Sequence, residues 1–395
     1  MGNSKTAVGV DVAARKIGNA RDYTKGEAGA GEDTEMIRVG VIGYGYWGPN
    51  LVRNFADSRN AEFVAVSDLR PERLASLNKR YPMAHTTTNH QDLLRDNNVD
   101  AIAIATPIST HFPLAMEALR AGKHVLVEKP LAASSEEAAL LIEEAERRRL
   151  VLMVDHTFVY TGAVRKIQDL VSTGTLGEIY YYDSVRVNLG LFQNDVNVIW
   201  DLAVHDLSIL DNVIPQRPSA VSATGASHVP GGTENIAYLT IFFDSSLIAH
   251  IHVNWLAPVK LRRTLIGGSR KMIVYDDLEL SEKVKVYDKG VTVTNHLSEE
   301  KINEIRVGYR TGDMIAPRVD VTEALQTELE HFVRCIEGSE YPITDGIAGL
   351  RIVQILEAAT RSMRNQGRPV RLEAAGVSAS PLTQVDCLHD DSISP

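Results

Sequence analysis

A glycine-rich turn does most to limit the folds open to this chain. Gly43-Tyr44-Gly45-Tyr46-Trp47-Gly48 spells G-x-G-x-x-G, directly after an apolar run at 37–42 and before a helical stretch through Leu51, Val52 and Phe55. A short apolar run bounded by turn residues reads as a buried strand. A strand that turns sharply at glycines into a helix suits a pyrophosphate. The first glycine permits the turn, the second lets the anion approach the backbone, and the third lets helix and strand pack closely. The helix N-terminus then attracts the phosphates. Asp68 lies twenty residues past Gly48, after a second strand-like run at 62–66. A carboxylate there accepts from both ribose hydroxyls and repels a 2′-phosphate, which favours NAD over NADP; Arg70 nearby works against that preference.

The pattern continues in kind. Pro71 sits where a helix starts. Strand-like runs at 101–105, 124–127 and 150–154 alternate with a helix at 112–121, stopped by Gly122, and one opened by the capping box Ser134/Glu137 and reaching about Arg148. Such alternation means a parallel sheet covered by helices. After 155 the texture changes. A helix at 162–172, a long alternating strand at 179–189 and a helix at 200–212 precede strand-like runs at 219–225, 235–243, 247–255, 263–267, 271–275 and 283–287. Helices at 322–337 and 346–365 close the pattern. Strands without intervening helices imply an antiparallel or mixed sheet. The expected class is α/β: a dinucleotide-binding domain over 36–155, then an α+β domain over 156–373 with a large, open, mainly antiparallel mixed sheet. Residues 1–35 and 374–395 read as flexible extensions, the alternative for 1–35 being an ordered arm on a neighbour. The opening Met1-Gly2-Asn3-Ser4-Lys5-Thr6 fits an N-myristoylation pattern too short to carry weight.

Composition removes several function classes. The chain has 395 residues, 44% hydrophobic and 23% charged, which is ordinary for a globular protein. No apolar run approaches the ~18 residues of a membrane span. No basic start leads into an apolar segment, so a secretory signal is not expected. Two cysteines, Cys335 and Cys387, exclude a disulfide scaffold and fit a reducing, cytoplasmic compartment. A net charge of −10 argues against nucleic-acid binding through overall positive charge.

Three further segments carry chemistry. Ala105-Thr106-Pro107-Ile108-Ser109-Thr110-His111 follows a strand, where doubly wound folds bind ligands. Thr106 can bond a ribose or carboxamide there; the alternative is a plain helix start capped by Ser109 or Thr110. Glu128-Lys129-Pro130 ends the next strand, where an ammonium aimed into the cofactor cleft can stabilise a developing alkoxide; the alternative is a solvated lysine at a strand end. The Lys129–Pro130 bond is a candidate cis peptide. Asp201 and His205 are four apart on an expected helix and so share a face, where a carboxylate can orient an imidazole and raise its basicity. The alternative is an ordinary helix pair. His250 and His252 share a strand face, but no nearby acid or thiol completes a metal site, so no metal is expected. Cys335 falls on an apolar helix face and reads as core. The candidate cofactor contacts are therefore Gly43, Gly45, Tyr46, Trp47, Gly48, Asp68, Thr106, Pro107, His111, Glu128 and Lys129.

Taken together, Gly43–Gly48, Ser67-Asp68, Ala105-Thr106-Pro107, the run from Ala121 through Glu128-Lys129-Pro130, and Asp201-x-x-x-His205 resemble, in order, the glucose–fructose oxidoreductase and inositol dehydrogenase family (Gfo/Idh/MocA) over about 36–372. The resemblance implies a Rossmann domain, NAD, and a catalytic set in which His205 is the general base, Lys129 polarises the reacting hydroxyl and Asp201 positions the pair. It also implies a homodimer or homotetramer built through the open sheet. Residues 43–51 and 197–206 are similar to the sugar-nucleotide members, the 3-dehydrogenases of UDP-N-acetylglucosamine and its uronate. That likeness implies oxidation of a sugar C3 hydroxyl to a ketone at Lys129, Asp201 and His205. Arg165 and Asn188 are candidate substrate contacts on position alone, the alternative being solvated surface. Alternatives within the resemblance are a C3-dehydrogenase of another sugar, glycoside or antibiotic sugar, an NAD-assisted glycosidase, and a non-catalytic NAD-binding regulator.

Overall fold

The computed structural model describes residues 36–190, 196–295 and 305–372. The extensions expected at 1–35 and 374–395, with the Met1–Thr6 pattern and Cys387, lie outside the described residues.

Six parallel strands form the first sheet: β1 (Ile37–Ile42), β2 (Ala61–Ser67), β3 (His85–Thr87), β4 (Ala101–Ile104), β5 (His124–Glu128) and β6 (Leu152–Asp155). Their spatial order is β3-β2-β1-β4-β5-β6. Every residue of β4 is fully buried, as near-continuous apolar strands covered on both faces must be. The strand order reverses between β1 and β4, so the loops leaving these two strands diverge and open a crevice at their carboxyl ends. Helices Gly48–Ala56, Pro71–Arg80, His111–Arg120 and Ser135–Arg148 follow the expected positions within a residue or two. Ser134 caps the last of these, its hydroxyl accepting from the Glu137 amide at 3.1 Å; Glu137 reaches back to the amide of Ala133 rather than to its own cap residue.

Two elements of this layer went unread in the sequence, β3 and the helix His90–Arg95. A three-residue strand and a six-residue helix are too short for periodicity to register. The helix nevertheless has a local cause, the Asn89 side chain accepting from the Gln91 amide at 3.2 Å.

The second sheet has nine strands: β7 (Ile179–Leu189), β8 (Pro218–Ala226), β9 (Ile236–Phe243), β10 (Ile248–Asn254), β11 (Leu256–Gly268), β12 (Met272–Asp276), β13 (Val284–Asn295), β14 (Ile305–Ile315) and β15 (Val370–Arg371). They run in the order β14-β13-β12-β11-β7-β10-β9-β8-β15. β7 and β10 pair in parallel, and the neighbouring pairs described are antiparallel, which makes the sheet mixed and mainly antiparallel. β11 begins at Leu256 rather than near 263; Pro258 interrupts the strand pattern in its exposed first half, where the pairing register with β7 shifts. β14 and β15 were not read at all. Helices Gly162–Ser172, Val204–Val213 and Gly346–Arg364 cover one face and share its core with Tyr182, Trp255 and Ile266. Helix Ala324–Ile336 joins the other core instead, placing Leu329, Phe332 and Val333 beside Leu51, Phe55 and Leu77. Cys335, on the same helix, is buried, as its apolar helix face implied. Among the described residues no helix is long and apolar enough to cross a membrane.

Candidate active site

The crevice at the strand-order reversal is a cleft of about 1140 Å³ that reaches from the glycine-rich loop to the second sheet. Gly43 has φ +97°, and a Cβ on it would lie 2.4 Å from the Ala105 carbonyl oxygen. A Cβ on Gly48 would lie 2.1 Å from the Gly43 carbonyl oxygen. Those two glycines are required by the turn and by helix packing. Gly45 differs: a Cβ there would meet nothing closer than 3.5 Å, so this backbone faces open cleft where a pyrophosphate can approach. The loop therefore fits a dinucleotide.

Asp68 sits at the end of β2 and is 7% exposed. Burial works to raise its pKa, but the amides of Arg70 (2.9 Å) and Tyr44 (2.7 Å) and the Arg73 guanidinium (3.1 Å) outweigh burial and hold the carboxyl below its ordinary range. It is an ionised carboxylate at the ribose end of the cleft. Arg73 was missed in the sequence, because the fingerprint specifies the acid and not its partner five residues on, in the first turn of helix Pro71–Arg80.

Thr106 and Pro107 line the cleft. The Thr110 hydroxyl does not cap the following helix; it donates to the Thr106 hydroxyl and to the Pro107 carbonyl, both at 2.7 Å. His111 is 1% exposed and does not line the cleft. Its ring nitrogens lie 2.8 Å from the carbonyl oxygens of Thr106 and Pro130, so it ties the loop after β4 to the loop after β5. Trp47 donates from Nε1 to Asp155 at 2.6 Å and thereby fastens the glycine loop to the end of β6. Tyr46 is 90% exposed at the cleft mouth.

The reactive end is built where β5 meets the element before helix Val204–Val213. The Lys129–Pro130 peptide is cis. Lys129 Nζ donates to the Asp201 carbonyl at 3.0 Å and lies 3.4 Å from its carboxylate. The other Asp201 carboxylate oxygen accepts from Trp255 Nε1 at 3.0 Å. Here the helical expectation needs correcting. Residues Ile199–Ala203 form a π turn, so Asp201 and His205 do not stack as four-apart residues of an α-helix would. Asp201 is bonded to Lys129 and Trp255, and no hydrogen bond joins it to His205. The Nδ1 of His205 is buried with no partner among the described residues, while the residue lines the cleft; Nε2 is the nitrogen left to meet a ligand. The ring packs edge-on to Phe158, 4.9 Å between centroids. Burial, then the charges of Lys129, Arg186 and Arg262, hold its pKa well below the ordinary value, so the imidazole is neutral.

Glu128 also lines the cleft and accepts from the Lys129 amide. Burial and the neighbouring Asp155 push its pKa up to about 8. Arg262 and Phe158, unread in the sequence, line the cleft too; Arg262 stacks 5.3 Å from the Phe158 ring centroid and donates to Asp277 at 3.1 Å. Arg165 and Asn188 do not line it: the Arg165 guanidinium is more than half exposed, 3.9 Å from Asp320. His250 and His252 lie on the outer face of β10, away from the cleft, His250 3.3 Å from Asp183 and His252 stacked on Tyr238. A neutral base, an ammonium and a carboxylate beside a dinucleotide cradle can remove a hydroxyl proton and stabilise the oxyanion while hydride leaves.

Comparison with known proteins agrees. Residues 37–156 match the model of the oxidoreductase family with NAD-binding Rossmann fold, and residues 164–274 match the GFO/IDH/MocA C-terminal domain. The chain is 27% identical to the UDP-N-acetylglucosamine 3-dehydrogenase of Acidithiobacillus ferrooxidans over 80% of this chain and 94% of that one. The solved structure of UDP-N-acetylglucosamine 3-dehydrogenase GnnA from that organism superposes with a TM-score of 0.71 at 25% identity, covering 84% and 99%. The myo-inositol 2-dehydrogenase of Thermotoga maritima is 23% identical over 85% and 99%. The chain is an NAD-binding oxidoreductase of the Gfo/Idh/MocA family.

Proposed function

We propose that this enzyme is an NAD-dependent sugar dehydrogenase that oxidises the C3 hydroxyl of a UDP-N-acetylhexosamine or its uronate to a ketone. The cofactor domain is 36–155 and the substrate domain 156–373. The observation that carries the reading is the convergence of Lys129 Nζ, Asp201 and the neutral His205 on the same cleft as the glycine loop. Bound NAD supplies the hydride acceptor. His205 takes the hydroxyl proton on Nε2, Lys129 donates to the sugar oxygen and stabilises its developing negative charge, and Asp201 fixes Lys129 with help from Trp255. Arg262, the one arginine that the second sheet contributes to the cleft among the described residues, suits the diphosphate of a nucleotide sugar. The likeness to UDP-N-acetylglucosamine 3-dehydrogenase supports the same choice.

The test is NADH formation by the purified protein with NAD against UDP-N-acetylglucosamine, its uronate and free hexoses, with and without 2-oxoglutarate to reoxidise tightly held NADH. Turnover confined to the nucleotide sugars is expected. Turnover on free sugars or glycosides alone overturns the nucleotide-sugar reading and leaves the Lys129/His205 chemistry standing.

A further inference from the structure

The cleft has a direction. Lys129, Asp201 and His205 stand at its reactive end, the glycine loop at its middle and Asp68 at its ribose end. Beyond Asp68 the lining continues with Leu69, His90, Pro113, Leu114 and Glu117, none of which the chemistry described so far employs. Leu69 follows β2 and is 85% exposed. Pro113, Leu114 and Glu117 belong to helix His111–Arg120, which follows β4. Their spacing puts them on one face, while Ala115, Met116, Ala118 and Leu119 are buried on the other. β1 separates β2 from β4 in the sheet, so the two walls rise two strand spacings apart, about 10 Å. An exposed leucine on one wall, with a proline and a leucine on the other, suits a flat ring system inserted between them.

Glu117 gives this stretch of the lining an acceptor fixed from outside its own helix. Gln91 donates from Nε2 to Glu117 Oε2 at 2.5 Å, and His90 Nε2 lies 2.8 Å from the same oxygen. Those two residues open the helix His90–Arg95, so the carboxylate is held between two elements. Its other oxygen, Oε1, has no partner among the described residues. A carboxylate oxygen accepts and does not donate. The 6-position of a purine lies at the end of the base away from its sugar. Adenine carries an amino group there, which donates; hypoxanthine carries an oxygen, which meets a carboxylate oxygen unfavourably.

We propose that Glu117 selects the base of the coenzyme: Oε1 accepts from the 6-amino group of an adenine seated between Leu69 and the Pro113/Leu114 face, and disfavours dinucleotides with an oxygen at that position. The inference rests on the glycine loop as the dinucleotide cradle and on nothing about the sugar. The bonds from Gln91 and His90 go to Oε2, which fixes the carboxylate and leaves Oε1 for the base. The Glu117 side chain is 45% exposed, so water competes for that oxygen and the discrimination is about tenfold rather than absolute.

The test is binding in the absence of any sugar. Tryptophan fluorescence, with Trp47 of the glycine loop as reporter, is titrated with NAD and with nicotinamide hypoxanthine dinucleotide. The wild type is expected to bind NAD about tenfold more tightly. The amide of Glu117→Gln can accept from an amino group or donate to an oxygen, so this variant is expected to bring the two affinities within about twofold. Glu117→Ala is expected to weaken NAD toward the wild-type affinity for the hypoxanthine form. Equal affinities in the wild type overturn the proposal. So does a Glu117→Gln protein that binds both dinucleotides more weakly by the same factor, which is the result if Glu117 only joins the two helices. Failure of the wild type to bind either dinucleotide overturns the cradle and the proposal with it. None of these results touches the choice of sugar, which the turnover panel tests separately.

Discussion

At the residue scale the account turns on three side chains whose charge states differ for physical reasons. His205 is neutral because burial and three cationic neighbours disfavour its proton. It therefore accepts a proton at neutral pH without first losing one. Replacing it by Ala is expected to lower kcat by about 10²–10⁴-fold while NAD still binds, read by stopped-flow NADH formation and by fluorescence titration. Lys129→Ala is expected to lower kcat by about 10²–10³-fold, as removal of an oxyanion donor does. Glu128 behaves in the opposite sense. Its carboxyl is neutral at pH 7 and ionises near pH 8, beside Asp155 and Lys129. Added negative charge favours the cationic oxidised nicotinamide over the neutral reduced one. NAD binding is thus expected to tighten relative to NADH as pH rises through about 8, and Glu128→Gln to remove that dependence. Titrating both coenzymes across this range checks the sign; parallel curves in the wild type refute it.

At the element scale, the fingerprint loop and the π turn are the two devices that place the chemistry. A Cβ on Gly48 collides with the Gly43 carbonyl, so Gly48→Ala is expected to cost more than about 2 kcal/mol in thermal unfolding and to abolish NAD binding. The loop was legible because its glycines have a backbone cause that shows in the spelling. Lys129 was legible because it ends a strand at the cleft. The π turn was not: Ile199–Ala203 carries the residues of an α-helix, and the bonds that Asp201 makes there, with Trp255 and Lys129, come from distant parts of the chain. The Asp201–His205 contact expected from α-helical spacing was lost with it. Arg73, Phe158 and Arg262 went unread for a related reason, since they reach the cleft through tertiary packing and belong to no spaced motif. His111 was read as a cofactor contact and instead holds two loops, a distinction that sequence position does not encode.

At the scale of the whole molecule, the parallel sheet supplies the cofactor crevice and the nine-stranded sheet its far wall. The alternation of strand and helix gave away the first; the run of strands gave away the second, though the two-residue β15 is too short to register and β14 went unread despite the alternation of Ile305, Val307 and Tyr309. The outer face of the larger sheet carries Tyr238, Leu265 and Tyr309, all substantially exposed. Apolar groups gathered on one open face suit association. Light scattering is expected to give a dimer or tetramer, and Tyr238→Asp to shift it toward monomer; a wild-type monomer contradicts the sheet's proposed role.

The central claim is that hydride leaves C3 of a nucleotide sugar under the control of Lys129 and His205. The most direct measurement is the mass of the NADH formed from UDP-N-acetylglucosamine deuterated at C3. The account predicts deuterium in the coenzyme, a primary isotope effect on turnover, and loss of both signals in Lys129→Ala and His205→Ala. Reduced coenzyme without deuterium, or undiminished transfer in either variant, contradicts it.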